Sequence, residues 1–459
     1  RSNNSALLVR DKISKEEFNN LFEKTKQFGE PGFIFAEKDD IVFNPCSEIS
    51  FIPRCPFTDE SGWSMCNLTE INGLKAKTID QFNDACKAAA ILGTLQAGYT
   101  EFNYLTEATK RIVDYEALLG VSITGFMDNP NILLDENILN NGANIVKEIN
   151  KKIANLIGIR QAARTTCVKP SGNASVILGT TSGIHPEHSK RYFRVMQINK
   201  QTELAKYISI NYPELIEESV WSSTNSDYVI YIPVVSEEDS ICKDELKGIK
   251  LLENVKKVQN SWVETGTNPH LGIESYLRHN VSNTVTVDDW DSVGDYLYDN
   301  RKYFAGVSFL SDVGDKIYAQ APFTSVLSAN EILETYGSGS MLASGLVVDG
   351  LNAFYNNLWK ACEYVKNHDM MLEGTRTQIL LQRDWLKRAK SFATKYFKSV
   401  DDIILCLKDV YILHKWLTIN KALKNDIDFK TIPFKPEFTS VDTLAGMACA
   451  GGSCDVKSI

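Results

Sequence analysis

Apolar and polar positions follow two periods along this chain, and the period switches several times. Helical spacing with polar flanks runs over Lys15–Phe28 and returns over residues 78–95, 106–119 and 137–157. Shorter runs rich in β-branched residues lie between and after these, at 33–35, 121–124, 165–168, 175–178 and 228–232. Further along, helical patterns over 246–264 and 290–300 bracket a β run at 281–287. Helices of this length alternating with short strands predict an α/β fold. A long helical stretch over 346–420 predicts a separate covering layer. Residues 53–62, rich in Pro, Asp, Ser and Gly, predict an irregular loop.

Composition narrows this picture without changing it. The 459 residues are 43% hydrophobic and 23% charged, a globular balance. No apolar run approaches the eighteen or so residues of a membrane helix, and the first residues lack the apolar core of a secretory signal. The chain does not open on Met, so a fragment or a processed product is expected. Net charge is −9 with no dense Lys/Arg block, which excludes a general polynucleotide binder but not a local site for one phosphorylated small molecule. Ten cysteines spread over so long a chain do not form a compact disulfide framework, and a cytoplasmic location follows.

Three groups of residues carry candidate chemistry. In Asn44-Pro45-Cys46-Ser47-Glu48, Pro45 restricts Asn44 to extended backbone, so thiol, amide and carboxylate share one loop. That set suits hydrogen abstraction and proton transfer at adjacent sugar carbons; a capped turn with a solvated Glu48 is the plainer reading. Cys66 follows twenty residues later in Cys66-Asn67-Leu68. Near the end, Cys449 and Cys454 enclose small residues, which favours a mobile redox pair over a zinc half-site, since no His lies near. The third group, Lys169-Pro170-Ser171-Gly172-Asn173-Ala174-Ser175, follows a β run and combines a glycine with hydroxyl and amide donors. It could cradle phosphate at a helix start, or be a plain turn with a capping serine.

Taken together these motifs resemble ribonucleotide reductases. Asn-Pro-Cys-Ser-Glu-Ile is similar to the finger-loop signature of that family, and its Asn-Pro-Cys form is nearest the adenosylcobalamin-dependent class. The resemblance implies that Cys46 becomes a thiyl radical, that Glu48 is the base at the ribose 3′-hydroxyl, and that Asn44 holds the substrate hydroxyls. It implies that Cys66 is one of two thiols reducing the substrate, and that Cys449 and Cys454 shuttle electrons from a thioredoxin-like reductant. Lys169 to Gly179, followed by Ser182-Gly183-Ile184-His185-Pro186, is similar to the phosphate-binding stretch of cobalamin-dependent reductases. Ser171, Gly172, Asn173, Ala174 and Ser175 are the phosphate contacts so implied, although Asn173 stands where that family has Thr. The similarity covers nearly the whole chain from about Gly32.

The implied fold is the second half of a ten-stranded α/β barrel with the radical finger loop, plus a helical carboxy-terminal region. The expected division is a lead-in helix and strand (1–43), finger loop and half-barrel (44–325), helical cover (326–430) and flexible redox tail (431–459). No cysteine precedes Cys46, so the second reducing thiol is expected on an amino-terminal half of the reductase, with Cys55 the nearest alternative in this chain. The implied activity is reduction of ribonucleoside triphosphates with adenosylcobalamin. Two alternatives stand beside it. One is the large subunit of a metal-dependent class I enzyme, with Tyr396 and Tyr411 available as radical relays. The other is a non-catalytic split-gene fragment that needs an amino-terminal partner.

Overall fold

The computed structural model of the chain describes residues 4–367, 371–423 and 427. In chain order its strands are β1 (Ser5–Val9), β2 (Gly32–Ala36), β3 (Val42–Phe43), β4 (Ser50–Phe51), β5 (Asn67–Asn72), β6 (Leu119–Thr124), β7 (Arg191–Asn199), β8 (Ile216–Glu218), β9 (Asp227–Val235), β10 (Thr284–Val287), β11 (Gly306–Ser311) and β12 (Phe323–Ser325). The chain divides into two units, Arg1–His188 with Glu237–Asp312, and Ser189–Ser236 with Val313–Ile459.

In the first unit the helix Lys15–Phe28 forms where its spacing predicts. Ser14 opens it with a capping box: its hydroxyl accepts from the Glu17 amide at 3.2 Å, and the Glu17 carboxylate accepts from the Ser14 amide at 3.0 Å. Gly29 closes it in the left-handed region. The apolar face buries Phe18 and Phe22 against the strands, with ring centroids 5.4 Å apart for Phe18–Phe33 and for Phe22–Phe309. Each such pair contributes about 0.5–1.5 kcal/mol beyond the area it buries.

The strands of this unit form one long series. β5 pairs parallel with β6, and single parallel bridges carry the ladder from Val121 to Thr166 and from Val168 to Val281. β10 then pairs parallel with β11. β11 pairs antiparallel with β2, and β2 parallel with β1. Five neighbouring segments (β5, β6, 165–168, 281–287 and β11) are therefore parallel, and the direction reverses at β2. Parallel neighbours need long crossovers, which the helices Ile79–Ala97, Glu107–Glu116, Glu136–Ile157 and Trp290–Asp299 supply. β6 is buried at every position, as a strand covered on both faces should be. Among the described residues the series does not close on itself, and the outer edges of β1 and β5 pair no further strand. A mixed α/β architecture is thus observed. The short hairpin β3–β4 lies in chain order between the two directions and carries the Asn44–Glu48 loop.

Two local expectations are corrected. Ser175–Leu178, rich in β-branched residues, lies in a short helix, Ala174–Leu178, and not in a strand. Ile177 is 85% exposed there, so no sheet surface rewards its β-branching, and Gly179 ends the turn in the left-handed region. The helix expected to reach residue 119 stops at Glu116, because Ala117 turns left-handed and Leu119 starts β6.

The second unit sets the antiparallel sheet β12-β7-β9-β8 in a shared core with the helices Gly339–Ala353, Leu358–Lys366, Arg376–Tyr396 and Val400–Ala422. Trp385 is fully buried among them and donates its indole N–H to the Leu346 carbonyl at 2.7 Å. Among the described residues no helix is long and apolar enough to cross a membrane.

Candidate active site

The loop between β3 and β4 is held by its backbone. Asn44 closes its base: its amide donates to the Ile49 carbonyl at 3.1 Å, and its Oδ1 accepts from the Ile49 amide at 3.0 Å. At the tip three consecutive carbonyls are each anchored by the segment 280–282. The Ser282 hydroxyl donates to Cys46 O at 2.7 Å, Asn280 Nδ2 to Ser47 O at 3.0 Å, and the Asn280 amide to Glu48 O at 2.9 Å. Asn280 is itself fixed, its Oδ1 accepting from the Gly306 amide at 3.1 Å. Such over-determination can hold Ser47 at φ 60°, a conformation costing a non-glycine residue of order 1 kcal/mol.

Among the described residues, the side chains of Cys46 and Glu48 in the same loop accept and donate no hydrogen bond. Cys46 is exposed, whereas Glu48 is 2% exposed and its Oε2 has no hydrogen-bond partner among the described residues. A buried carboxylate oxygen without a donor is costly and fits an arriving hydroxyl. Partly desolvated surroundings and then the Glu48 charge push the Cys46 thiol up, against the opposing pull of the Lys169 ammonium. Cys46 is thereby kept as S–H, the form from which a hydrogen atom can leave and not the nucleophilic thiolate.

Cys66 stands at the entry to β5, and with Asn44 and Pro45 it lines a cavity of about 540 Å³. Burial pushes its thiol far up, so it too is protonated. Its sulfur lies 3.9 Å from His279 Nε2, which contacts the Leu119 carbonyl at 3.0 Å. A carbonyl only accepts, so Nε2 carries the proton, and His279 cannot act as a base toward Cys66 through that nitrogen. Burial, and secondarily Arg164, holds His279 far below the ordinary histidine range and thus neutral. Arg164 forms a fully buried ion pair with Glu116 at 3.0 Å and donates to the Ser50 carbonyl at 3.3 Å, tying the base of the hairpin to the sheet.

Sequence reasoning passed over Cys167, which lies beside Cys66. Both sulfurs approach Gly120: a Cβ there would meet Cys167 Sγ at 3.1 Å, Cys66 Sγ at 3.2 Å and Leu68 Cδ2 at 2.4 Å. The two cysteines flank β6 on opposite neighbours, so their backbones are separated by two strand spacings, about 10 Å. That exceeds the reach of a disulfide, and Cys167 therefore does not replace the second reducing thiol without strand movement. Cys55 is buried in a separate small cluster with Ala108 and Ile112. Cys449 and Cys454 lie outside the described residues.

The segment Lys169–Ser175 leads into the short helix Ala174–Leu178. Gly172 and Asn173 are exposed and Ala174 half-buried, but the hydroxyl donors are engaged. Ser171 Oγ donates to Glu70, Lys169 Nζ meets the other Glu70 oxygen at 3.0 Å, and Ser175 Oγ pairs with Ser182 Oγ at 2.8 Å. Neither Glu70 nor the segment 280–282 was marked by the sequence, because each acts on a loop far from it in the chain. Among the described residues no group of three or more His, Cys, Asp or Glu side chains could hold a metal ion.

No family model matches the chain. It is 22% identical over 338 residues to an adenosylcobalamin-dependent ribonucleoside-triphosphate reductase of Euglena gracilis, an alignment covering 68% of this chain and 42% of that protein. A probable adenosylcobalamin-dependent ribonucleoside-triphosphate reductase of Dictyostelium discoideum is 26% identical over 193 residues, covering 40% and 23%. The chain thus spans less than half the length of these curated relatives. The crystal structure of a B12-dependent (class II) ribonucleotide reductase matches with a TM-score of 0.58 at 16% identity, covering 72% of this chain and 48% of that one. The resemblance read from the motifs therefore holds in sequence and in fold, and the chain is a relative of the adenosylcobalamin-dependent ribonucleoside-triphosphate reductases.

Proposed function

We propose that the chain is the catalytic carboxy-terminal part of a cytoplasmic ribonucleoside-triphosphate reductase that works by a thiyl radical on Cys46. The observation that carries this reading is the clamped loop tip, with a protonated thiol exposed beside a buried carboxylate whose Oε2 awaits a donor. Cys46 would take the ribose 3′-hydrogen and Glu48 the proton of the 3′-hydroxyl. Asn44 spends its oxygen on Ile49, which leaves its Nδ2 to hold a substrate hydroxyl. Cys66 would supply one of the two thiols that carry the reducing electrons, and Cys449 with Cys454 would renew them from a thioredoxin-like protein.

Adenosylcobalamin, which the relatives are named for requiring, would supply the hydrogen-abstracting chemistry at Cys46. An exposed thiol kept as S–H fits that role. The five parallel segments followed by a reversal at β2 support a half of a ten-stranded barrel, with the finger loop at the reversal. The helical cover (326–430) and redox tail (431–459) complete the proposed division. The edges of β1 and β5, which pair no further strand among the described residues, call for covering strands, and an amino-terminal half of the reductase is the proposed partner. The eight described cysteines are all free thiols, as a reducing compartment requires.

The test is a reconstitution of the full chain with an amino-terminal reductase half, adenosylcobalamin and a dithiol. Electron paramagnetic resonance would follow cobalt–carbon homolysis in wild type and Cys46→Ser. The reading predicts a signal that Cys46→Ser abolishes; an unchanged signal in that variant removes Cys46 from the radical role.

A further inference from the structure

Within the proposed phosphate loop, the two side chains best suited to hold an anion already hold one. We propose that Glu70 is a resident counter-anion that a substrate phosphate must displace, and that it thereby sets how much negative charge a ligand needs to bind. The inference rests on reading Lys169–Ser175 as the phosphate site.

Glu70 projects from β5, about a hundred residues away in sequence from the loop. One carboxylate oxygen meets Lys169 Nζ at 3.0 Å and the other accepts from Ser171 Oγ. The Glu70 side chain is 10% exposed and that of Lys169 24%, so water screens the pair only in part. A carboxylate offers two oxygens to the same donors a phosphate would use, which makes Glu70 a protein stand-in for the ligand. With Glu70 in place the loop presents no net charge. A phosphate arriving at Lys169 would meet the carboxylate at hydrogen-bond range, and two anions so close repel strongly in a partly buried site. Binding is then an exchange, in which phosphate takes Lys169 and Ser171 while Glu70 turns toward solvent.

The exchange has a direct consequence for which ligands are held. Turning Glu70 out costs the same whichever ligand arrives, so every phosphate is weakened by one factor. A ligand with one or two negative charges then falls below useful affinity, whereas a triphosphate, which gains more from Lys169, is still held. A brace that merely orders the loop predicts the opposite sign, since its removal would loosen the donors and weaken every ligand.

Calorimetric titration of the full chain with inorganic tripolyphosphate and with orthophosphate separates these readings. Glu70→Gln should tighten the binding of both tripolyphosphate and orthophosphate about tenfold. Unchanged or weaker binding in Glu70→Gln overturns the proposal. If that variant does not fold, Glu70→Asp serves in its place, because the shorter carboxylate cannot reach both donors; it too must bind more tightly. Lys169→Met tests the underlying site by itself. Should it leave binding unaltered both alone and when combined with Glu70→Gln, the phosphate-loop reading fails, and not the role of Glu70 within it.

Discussion

The Asn44–Glu48 loop and the proposed phosphate loop are built in opposite ways. In the first, the backbone is anchored at Cys46, Ser47 and Glu48 by the segment 280–282, while the side chains of Cys46 and Glu48 are left to act. In the second, Gly172 and Asn173 are exposed, and the side chains of Lys169, Ser171 and Ser175 are satisfied internally. The proposed radical chemistry needs one atom held still in a fixed place, which a rigid main chain provides. The proposed anion binding tolerates exchange of partners, which a self-paired resting loop allows. The contrast teaches that substitutions in the first loop should act on turnover, and in the second on affinity.

The sharpest way to break that contrast is Cys46→Ser. In the reconstituted enzyme it should abolish deoxyribonucleotide formation while leaving urea unfolding of the chain within about 0.5 kcal/mol of wild type, since the side chain is exposed. A large stability loss would mean that the thiol is a packing group. Next in size is Gly120→Ala. Its new methyl group meets Leu68 and both the Cys66 and Cys167 sulfurs, so the fold should lose about 1–3 kcal/mol, read as a lower denaturation midpoint.

Burial raises the Cys66 and Cys167 thiols above their ordinary value of 9.0. The unfolded chain therefore loses these protons first, so the stabilisation is full below pH 9.0 and is lost as pH rises beyond it. The decline should approach roughly 1.4 kcal/mol per pH unit for each thiol, and Cys66→Ser should make it shallower. Equal slopes in the two proteins would refute the protonated state of Cys66. The smallest expected effect is that of Ser282→Ala, which removes one anchor from the loop tip at a cost of about 1 kcal/mol. If the clamp immobilises Cys46, alkylation of this exposed thiol should change in rate by more than that of denatured chain; Ser282→Thr, which keeps the hydroxyl, should restore it.

Much of the helical framework was legible because its signals are local. Ser14, Glu17 and Gly29 punctuate the helix Lys15–Phe28 within the chain's own neighbourhood, and its boundaries fall where the spacing put them. Residues 175–178 show the limit: Val176 and Ile177 favour strands, but nothing packs on them, so the surrounding turn decides. The Asn44–Glu48 motif gave the kinds of groups at the site, and the structure gave their states. That the carbonyls of Cys46, Ser47 and Glu48 are anchored depends on residues 280–282, more than two hundred positions away. Cys167 and Glu70 were silent for the same reason, since each becomes informative only when β5, β6 and residues 164–168 lie side by side.

If the proposed amino-terminal half covers the outer edge of β5, which pairs no further strand among the described residues, the arrangement has a consequence for heredity. A strand edge recognises another chain through main-chain N–H and C=O groups, which every residue but proline carries alike. A covering strand can therefore drift widely in sequence and still be accepted, provided its length and inward-facing pattern persist. Were two genes to encode the halves of such a sheet, they would be free to diverge far faster than the interface they share.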